Sequence, residues 1–215
     1  MSQNKNWRII PEYPSYKILE HTKCEYCVKY PSLVEHAVEK GIKVDDAVFI
    51  EHFPPEYTNG SKKVMLVGES PGRREMIYHR PFIGRSGQLL RRALTSLGYV
   101  RKEPPIVRLL ITNTVKCPCV GSPHVEIMQH CSGALAKEAD LFVPDLIIGL
   151  GKTAFHALTG KGREYILGDN RKKHYEYRGL PVRLTYHPAA ALKHTNYKIC
   201  FYQDLREYLR WLLKS

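Results

Sequence analysis

Four short apolar runs constrain this chain more than any other feature. They are Val64-Met-Leu-Val67, Val107-Arg-Leu-Leu-Ile-Thr112, Pro144-Asp-Leu-Ile-Ile-Gly-Leu-Gly151 and Pro181-Val-Arg-Leu-Thr-Tyr186. Each has the length of a strand, and near-continuous apolar character marks strands buried on both faces. Helical periods lie between them. One starts near Ser86 and places Leu89, Leu90, Ala93 and Leu94 on one face; a second covers 124–141 with Val125, Ile127, Met128, Cys131, Leu135 and Leu141. A third runs from Thr153 to Leu158 and closes at Gly160, and a fourth covers 196–213 with Leu205, Tyr208, Leu209 and Leu212. The basic, Tyr-rich segment 161–180 predicts a loop or hairpin. Strands alternating with helices predict a three-layer α/β/α sandwich around a central, mainly parallel four-stranded sheet.

The first strand leads into the stretch with the most chemistry. It ends at Gly68, and Glu69-Ser-Pro-Gly72 follows, then Glu75, Arg80-Pro-Phe82-Ile-Gly84-Arg-Ser-Gly87 and the amphipathic helix. Glycines let backbone approach a ligand closely, and here they surround a carboxylate, an aromatic ring and several bases. No Gly-Lys-Ser/Thr closes the loop and the G-x-G-x-x-G spacing is missing, so it is neither a Walker loop nor a dinucleotide fingerprint. Glu69, Asn113 and His187 each directly follow a strand. Adjacent parallel strands would bring all three to one sheet edge, where open α/β sheets bind ligands.

Lys and Arg number 33 against 21 acids among 215 residues, a formal charge of +12. That balance favours a polyanionic partner, nucleic acid first. No apolar run is long enough to cross a membrane, and Met1-Ser-Gln-Asn-Lys-Asn-Trp lacks the apolar core of a secretory signal, so a cytoplasmic location is expected. Six cysteines in such a chain suggest metal or cluster ligation more than disulfides. Cys24-Glu-Tyr-Cys27 has the spacing of one metal centre, and by itself leaves redox, zinc and iron–sulfur readings open. Residues 31–41 predict a short helix. The chain reads as one domain over 1–215, with an N-terminal arm over about 1–61.

The segment Gly68-Glu-Ser-Pro-Gly72 through Glu75 to Arg80-Pro-Phe82-Ile-Gly84-Arg-Ser-Gly87-Gln-Leu-Leu90 resembles the first motif of the iron–sulfur, family 4 uracil-DNA glycosylases. Asn113-Thr-Val-Lys-Cys117 is similar to the family's Asn-x-Val-Lys-Cys segment, and Glu126-Ile-Met-Gln-His-Cys131 to the context of its fourth cluster cysteine. His187-Pro-Ala-Ala-Ala-Leu-Lys193 is similar to its second motif, His-Pro-x-x-Leu-Leu-Arg. The chain departs from the pattern in places. Residues 28–61 read partly as an insertion, the Cys117–Cys131 spacing is shorter, and Cys119 is an extra thiol. Met76 and Tyr78-His79 also differ from the family's usual loop.

The resemblance implies a monofunctional hydrolase that removes uracil from DNA and leaves an abasic site, acting as a monomer on single- or double-stranded DNA with the base flipped out, in a nucleoid-associated setting. It implies a [4Fe-4S] cluster on Cys24, Cys27, Cys117 and Cys131, with Cys119 an alternative third ligand. Phe82 would stack on the extruded base, and Asn113 would read its Watson–Crick edge. Cytosine inverts both functions, so a fixed Asn rejects it through unpaired buried groups. His187 would donate to O2, where charge accumulates. Glu69 and Ser70 would lie beside the sugar, with Glu69 catalytic. Glu75 would sit near C5 and hinder 5-substituted bases. Arg85, Lys116 and Lys193 would contact phosphates, with Arg73, Arg74, Arg80, Arg91 and Arg92 as further candidates. Three rival readings stand beside this one: the same scaffold excising a modified pyrimidine such as 5-hydroxymethyluracil or a modified cytosine, a non-catalytic iron–sulfur nucleic-acid binder, and a zinc-stabilised nucleotide-binding domain.

Overall fold

The computed structural model describes residues 51–53, 62–78, 81–98, 107–116, 119, 121–162 and 164–215. Cys24, Cys27, Cys117 and the short helix expected over 31–41 lie outside the described residues.

The elements run β1 (Glu51–Phe53), β2 (Lys62–Gly68), α1 (Arg73–Tyr78), α2 (Arg85–Ser96), β3 (Val107–Asn113), α3 (Val125–Phe142), β4 (Leu146–Leu150), α4 (Lys152–Thr159), α5 (Leu167–Asn170), β5 (Tyr175–Tyr177), β6 (Leu180–Thr185), α6 (Pro188–Lys193) and α7 (Thr195–Leu212). The four strands expected from the sequence form a parallel block, β3-β2-β4-β6. The sheet is wider than that. Two three-residue strands extend it antiparallel at both edges, β1 beside β3 and β5 beside β6, giving six strands. β1 falls in the segment read as an insertion, so part of that segment is sheet edge. At the other edge, Arg178 and Gly179 join β5 to β6 with positive φ at both, 54° and 78°. Two such residues are what a type I′ hairpin turn requires.

Apolar residues cover both faces of the block, which is why its strands read as unbroken hydrophobic runs. Side chains alternate between faces along a strand. Val64 and Leu66 of β2 join Leu109, Ile111, Ile148 and the apolar stripes of α2 and α7 on one face. Met65 and Val67 join Leu110, Leu135, Ile147, Phe155 and Leu184 on the other, under α3 and α4. The helix after β2 thus covers one face and the helix after β4 the opposite face. Where neighbouring strands send their helices to opposite sides, a crevice opens at the carboxyl ends. Glu69 leaves β2 at this crevice and Gly151 leaves β4.

Candidate active site

The parallel register pairs Gly68 with Asn113. Gly68 gives up its side chain to its neighbours: a β-carbon there would lie 2.4 Å from Cζ of Phe82 and 2.5 Å from Oδ1 of Asn113. The aromatic ring and the amide therefore meet over one bare backbone position. The loops after β2 and β3 are tied by Thr114 N donating to Gly68 O and Val115 N donating to Glu69 O, both at 2.9 Å.

Phe82 reaches this place through an uncommon backbone, with φ at +53°. A bulky residue in the left-handed region is strained and persists only where the surroundings hold it. Here Arg91 of α2, itself buried, donates from Nε to Phe82 O at 3.0 Å and from a terminal nitrogen to Pro81 O at 2.9 Å. Gly87 completes the fit, since a β-carbon there would fall 1.8 Å from Phe82 O. Glu75 works in the same loop. It is buried, and its Oε1 accepts from Ile83 N at 3.0 Å and Gly84 N at 2.7 Å. That carboxylate oxygen shapes the turn carrying Phe82.

His187 sits between β6 and α6 and caps the latter, with Pro188 in the first helical turn. Its Nδ1 accepts from Ala189 N at 3.1 Å. A neutral imidazole accepting at one nitrogen carries its proton on the other, so Nε2–H is the donor left for a ligand. Burial pushes the His187 pKa down to about 4, which keeps the ring neutral at physiological pH. The Phe82 and His187 rings lie 5.9 Å apart, tilted by 38°. Gly151 makes the space: a β-carbon there would lie 2.7 Å from Cβ of His187. Tyr186, one residue earlier, stacks on Tyr197 of α7 at 4.2 Å and fastens this loop to the last helix.

Glu69 is partly buried, and the Thr153 hydroxyl of α4 donates to its Oε2 at 2.5 Å. Ser70 hydrogen-bonds Cys119; burial, then the neighbouring Cys131 sulfur and the Glu69 carboxylate, push the Cys119 thiol up to about 11 against that bond. Cys131 is buried on α3 with Val115 and Ile127, and Cys119 and Met128 pack against them. Soft sulfur donors in an apolar setting suit a thiolate-held cluster. Among the described residues no three His, Cys, Asp or Glu gather as a metal centre.

Lys116 corrects the sequence reading. It was expected on DNA phosphates, yet it is 2% exposed and its ammonium points inward. It donates to Asn113 O at 2.6 Å, Thr112 Oγ1 at 2.8 Å and Glu138 Oε2 at 2.7 Å. Those bonds use all three of its donors. Arg85 at the start of α2 and Lys193 at the end of α6 are exposed, as phosphate contacts need to be.

Sequence reasoning missed Thr153 and Glu138. Thr153 had a weak signal, the Gly149-Leu-Gly-Lys-Thr153 run at a strand–helix junction. Glu138 had one as well, an acid within an apolar helical stripe. Arg91, expected with its neighbours on phosphates, is instead buried and holds the Phe82 turn. Phe82, Asn113, His187 and Glu69 thus stand at neighbouring strand ends: an aromatic ring, an amide, a neutral N–H donor and a carboxylate held at the crevice. Groups of these kinds are those that stack on a flat polar heterocycle, read its edge and stabilise charge on it.

Residues 54–212 match the family model described as the uracil DNA glycosylase superfamily. A type-4 uracil-DNA glycosylase of Pyrobaculum aerophilum is 40% identical over 151 residues, covering 66% of this chain and 74% of that relative. One of Saccharolobus solfataricus is 30% identical over 184 residues, covering 81% and 83%. One of Archaeoglobus fulgidus is 30% identical over 155 residues, covering 66% and 72%.

Proposed function

The chain belongs to the uracil-DNA glycosylase superfamily, and from that membership we propose that it hydrolyses the N-glycosidic bond of uracil in DNA and leaves an abasic site. The observation that carries this reading is the meeting of Phe82, Asn113 and the His187 ring at the ends of β2, β3 and β6. Extruding a base costs a few kcal/mol of stacking and pairing. Stacking on Phe82 offsets part of that cost. The Asn113 amide donates to O4 and accepts from N3–H. As the C1′–N1 bond breaks, its electron pair leaves with the base, and negative charge grows at O2. His187 Nε2–H donates there; a preorganised neutral donor stabilises that charge without transferring its proton. Glu69 faces the cation-like sugar and orients the water whose oxygen bonds to C1′ and whose proton is released. We propose that the reaction has no lyase step: Lys116, beside the base-reading turn, has its ammonium engaged by Asn113, Thr112 and Glu138 and is not offered to the sugar.

Cys24, Cys27, Cys117 and Cys131 would hold a [4Fe-4S] cluster, with Cys119 beside Cys131 the alternative to Cys117. Held there, it would tie distant chain segments together. The fit on the described side is the buried Cys131, with the sulfur-bearing Cys119 packed against the apolar group that Cys131 shares with Val115 and Ile127. Visible absorption of purified Cys117→Ser and Cys119→Ser proteins decides which of the two ligates.

The test is cleavage of matched oligonucleotides carrying uracil, thymine, 5-hydroxymethyluracil, cytosine or modified cytosines, with alkali to reveal abasic sites. Uracil release that is lost in Asn113→Ala and His187→Ala supports the reading. Release confined to a modified base replaces uracil as substrate. Tight DNA binding without any release makes the protein a binder.

A further inference from the structure

Asn113 discriminates uracil from cytosine only if its position is fixed, and the structure shows what fixes its backbone. Thr112, Asn113, Lys116 and Glu138 form one buried network. Lys116 Nζ lies 2.6 Å from Asn113 O, and Glu138 Oε2 accepts both from Lys116 Nζ, at 2.7 Å, and from Thr112 Oγ1, at 2.9 Å. Lys116 and Glu138 are each 2% exposed. Burial raises the Glu138 pKa, opposed by the Lys116 charge and the two hydrogen bonds it accepts. Glu138 comes from α3, seven residues after Cys131 and hence on the same helical face. The turn that presents Asn113 is thus bolted to the helix that carries Cys131.

We infer that Lys116 and Glu138 are positioning residues for base recognition, holding the Asn113 backbone so that its amide tells uracil from cytosine. This rests on the reading of Asn113 given above. A buried ion pair of this kind is seldom a net source of stability, because desolvation cancels much of the attraction. Its value lies in geometry: three short bonds converge on one ammonium, and one of them ends on the carbonyl of the residue that reads the base.

Removing one partner would strand a buried charge and unfold the protein, so the decisive variant replaces both, Lys116→Met with Glu138→Leu. Thr112→Val serves as the milder second variant, since it removes only the bridging hydroxyl. Each is assayed as the full chain for kcat and KM on uracil and cytosine oligonucleotides, for inhibition by free uracil, and for melting temperature. Losing an anchoring bond from a charged donor is expected to lower the uracil-over-cytosine ratio and weaken free-uracil inhibition by about tenfold or more in the double variant, and severalfold in Thr112→Val, with KM for DNA unchanged. A folded double variant with unaltered discrimination and uracil inhibition overturns the inference. If the double variant does not fold, Thr112→Val decides by the same criteria. Asn113→Ala is run in parallel: if it too keeps discrimination, the reading of Asn113 fails; if it alone loses it, only the role of Lys116 and Glu138 fails.

Discussion

Thr153 donates its hydroxyl to Oε2 of Glu69 at 2.5 Å, across the crevice between β2 and β4. The two residues come from different strand–helix junctions, so the bond fixes the carboxylate relative to both halves of the sheet. Hydrogen bonds to a charged acceptor contribute roughly 1.5–3 kcal/mol, and a carboxylate freed from one turns toward solvent. Thr153→Val should therefore lower kcat on uracil DNA by about 10- to 100-fold while KM changes little, and Thr153→Ser should restore most of it. Single-turnover kinetics on a uracil oligonucleotide measure this. An unchanged kcat in Thr153→Val would show that Glu69 needs no anchor.

The His187 pKa of about 4 sets two pH dependences. First, the ring stays neutral from pH 8 down to pH 5, so uracil release should show no acid limb near the usual histidine range. Second, an unfolded His187 titrates near 6.5 and therefore binds a proton before the folded one does. Stability rises with pH wherever the unfolded state holds more protons, so this contribution is complete above about 6.5 and is lost as pH falls toward 4. The loss amounts to up to about 3 kcal/mol. His187→Gln should flatten the fall of melting temperature over that window, measured against the parent protein by calorimetry. A parent profile that matches the Gln variant would place the ring in a wetter setting than its burial indicates.

Exposed and buried cations separate in their response to salt. Each phosphate contact releases counterions, and losing one lowers the slope of log affinity against log salt by about 1. Arg85→Ala and Lys193→Ala should each weaken DNA binding and reduce that slope, with no effect on which base is removed. The Lys116→Met/Glu138→Leu protein should keep the parental slope, because its ammonium faces Asn113, Thr112 and Glu138. Binding isotherms on an abasic-site oligonucleotide over a range of salt concentrations measure all three. A reduced slope for the double variant would put Lys116 on the DNA.

Lys116 also shows where sequence reasoning stops. A lysine just after a strand in a strongly basic chain reads as a solvated cation, and nothing within a few residues contradicts that. Its burial comes from Glu138, 22 positions later on another element. Thr153 is hidden in the same way, with its partner 84 positions earlier. The parallel block was legible because strands buried on both faces leave unbroken apolar runs, and because Gly68, Asn113 and His187 stand where those runs end. The edge strand Glu51–Phe53 was not, since three residues are too few to show a period, whereas Tyr175–Tyr177 lies in the segment read as a loop or hairpin and forms one arm of a hairpin with β6. Phe82 was recognised as an aromatic beside the site. The positive φ that aims it, and the Arg91 clamp that sustains it, belong to packing and leave no mark in the local sequence.

Asp204 of α7 supports the site from behind. It is fully buried, and it accepts from Thr185 Oγ1 at 2.7 Å, from Arg171 and from Lys172 Nζ at 2.9 Å. Thr185 ends β6 two residues before His187, so the carboxylate holds the strand end from which the histidine projects. The three partners do not count equally. Lys172 is about half exposed, and its bond is screened by water. Arg171 is mostly buried, and Thr185 is wholly so. Truncating Asp204 to Ala strands that guanidinium and hydroxyl together, a loss on the order of 3–5 kcal/mol. For a chain of this size that corresponds to a drop in melting temperature on the order of 10 °C. Asp204→Asn keeps an acceptor of the same shape and should lose less than half as much. Because Thr185 is joined to His187 through only Tyr186, Asp204→Ala should also lower kcat at temperatures well below its melting point, with KM for DNA near parental. Thermal melts and kinetics on the two variants separate these effects. A stability loss with kcat intact would mean that the Tyr186–Tyr197 stack alone holds the His187 loop in place.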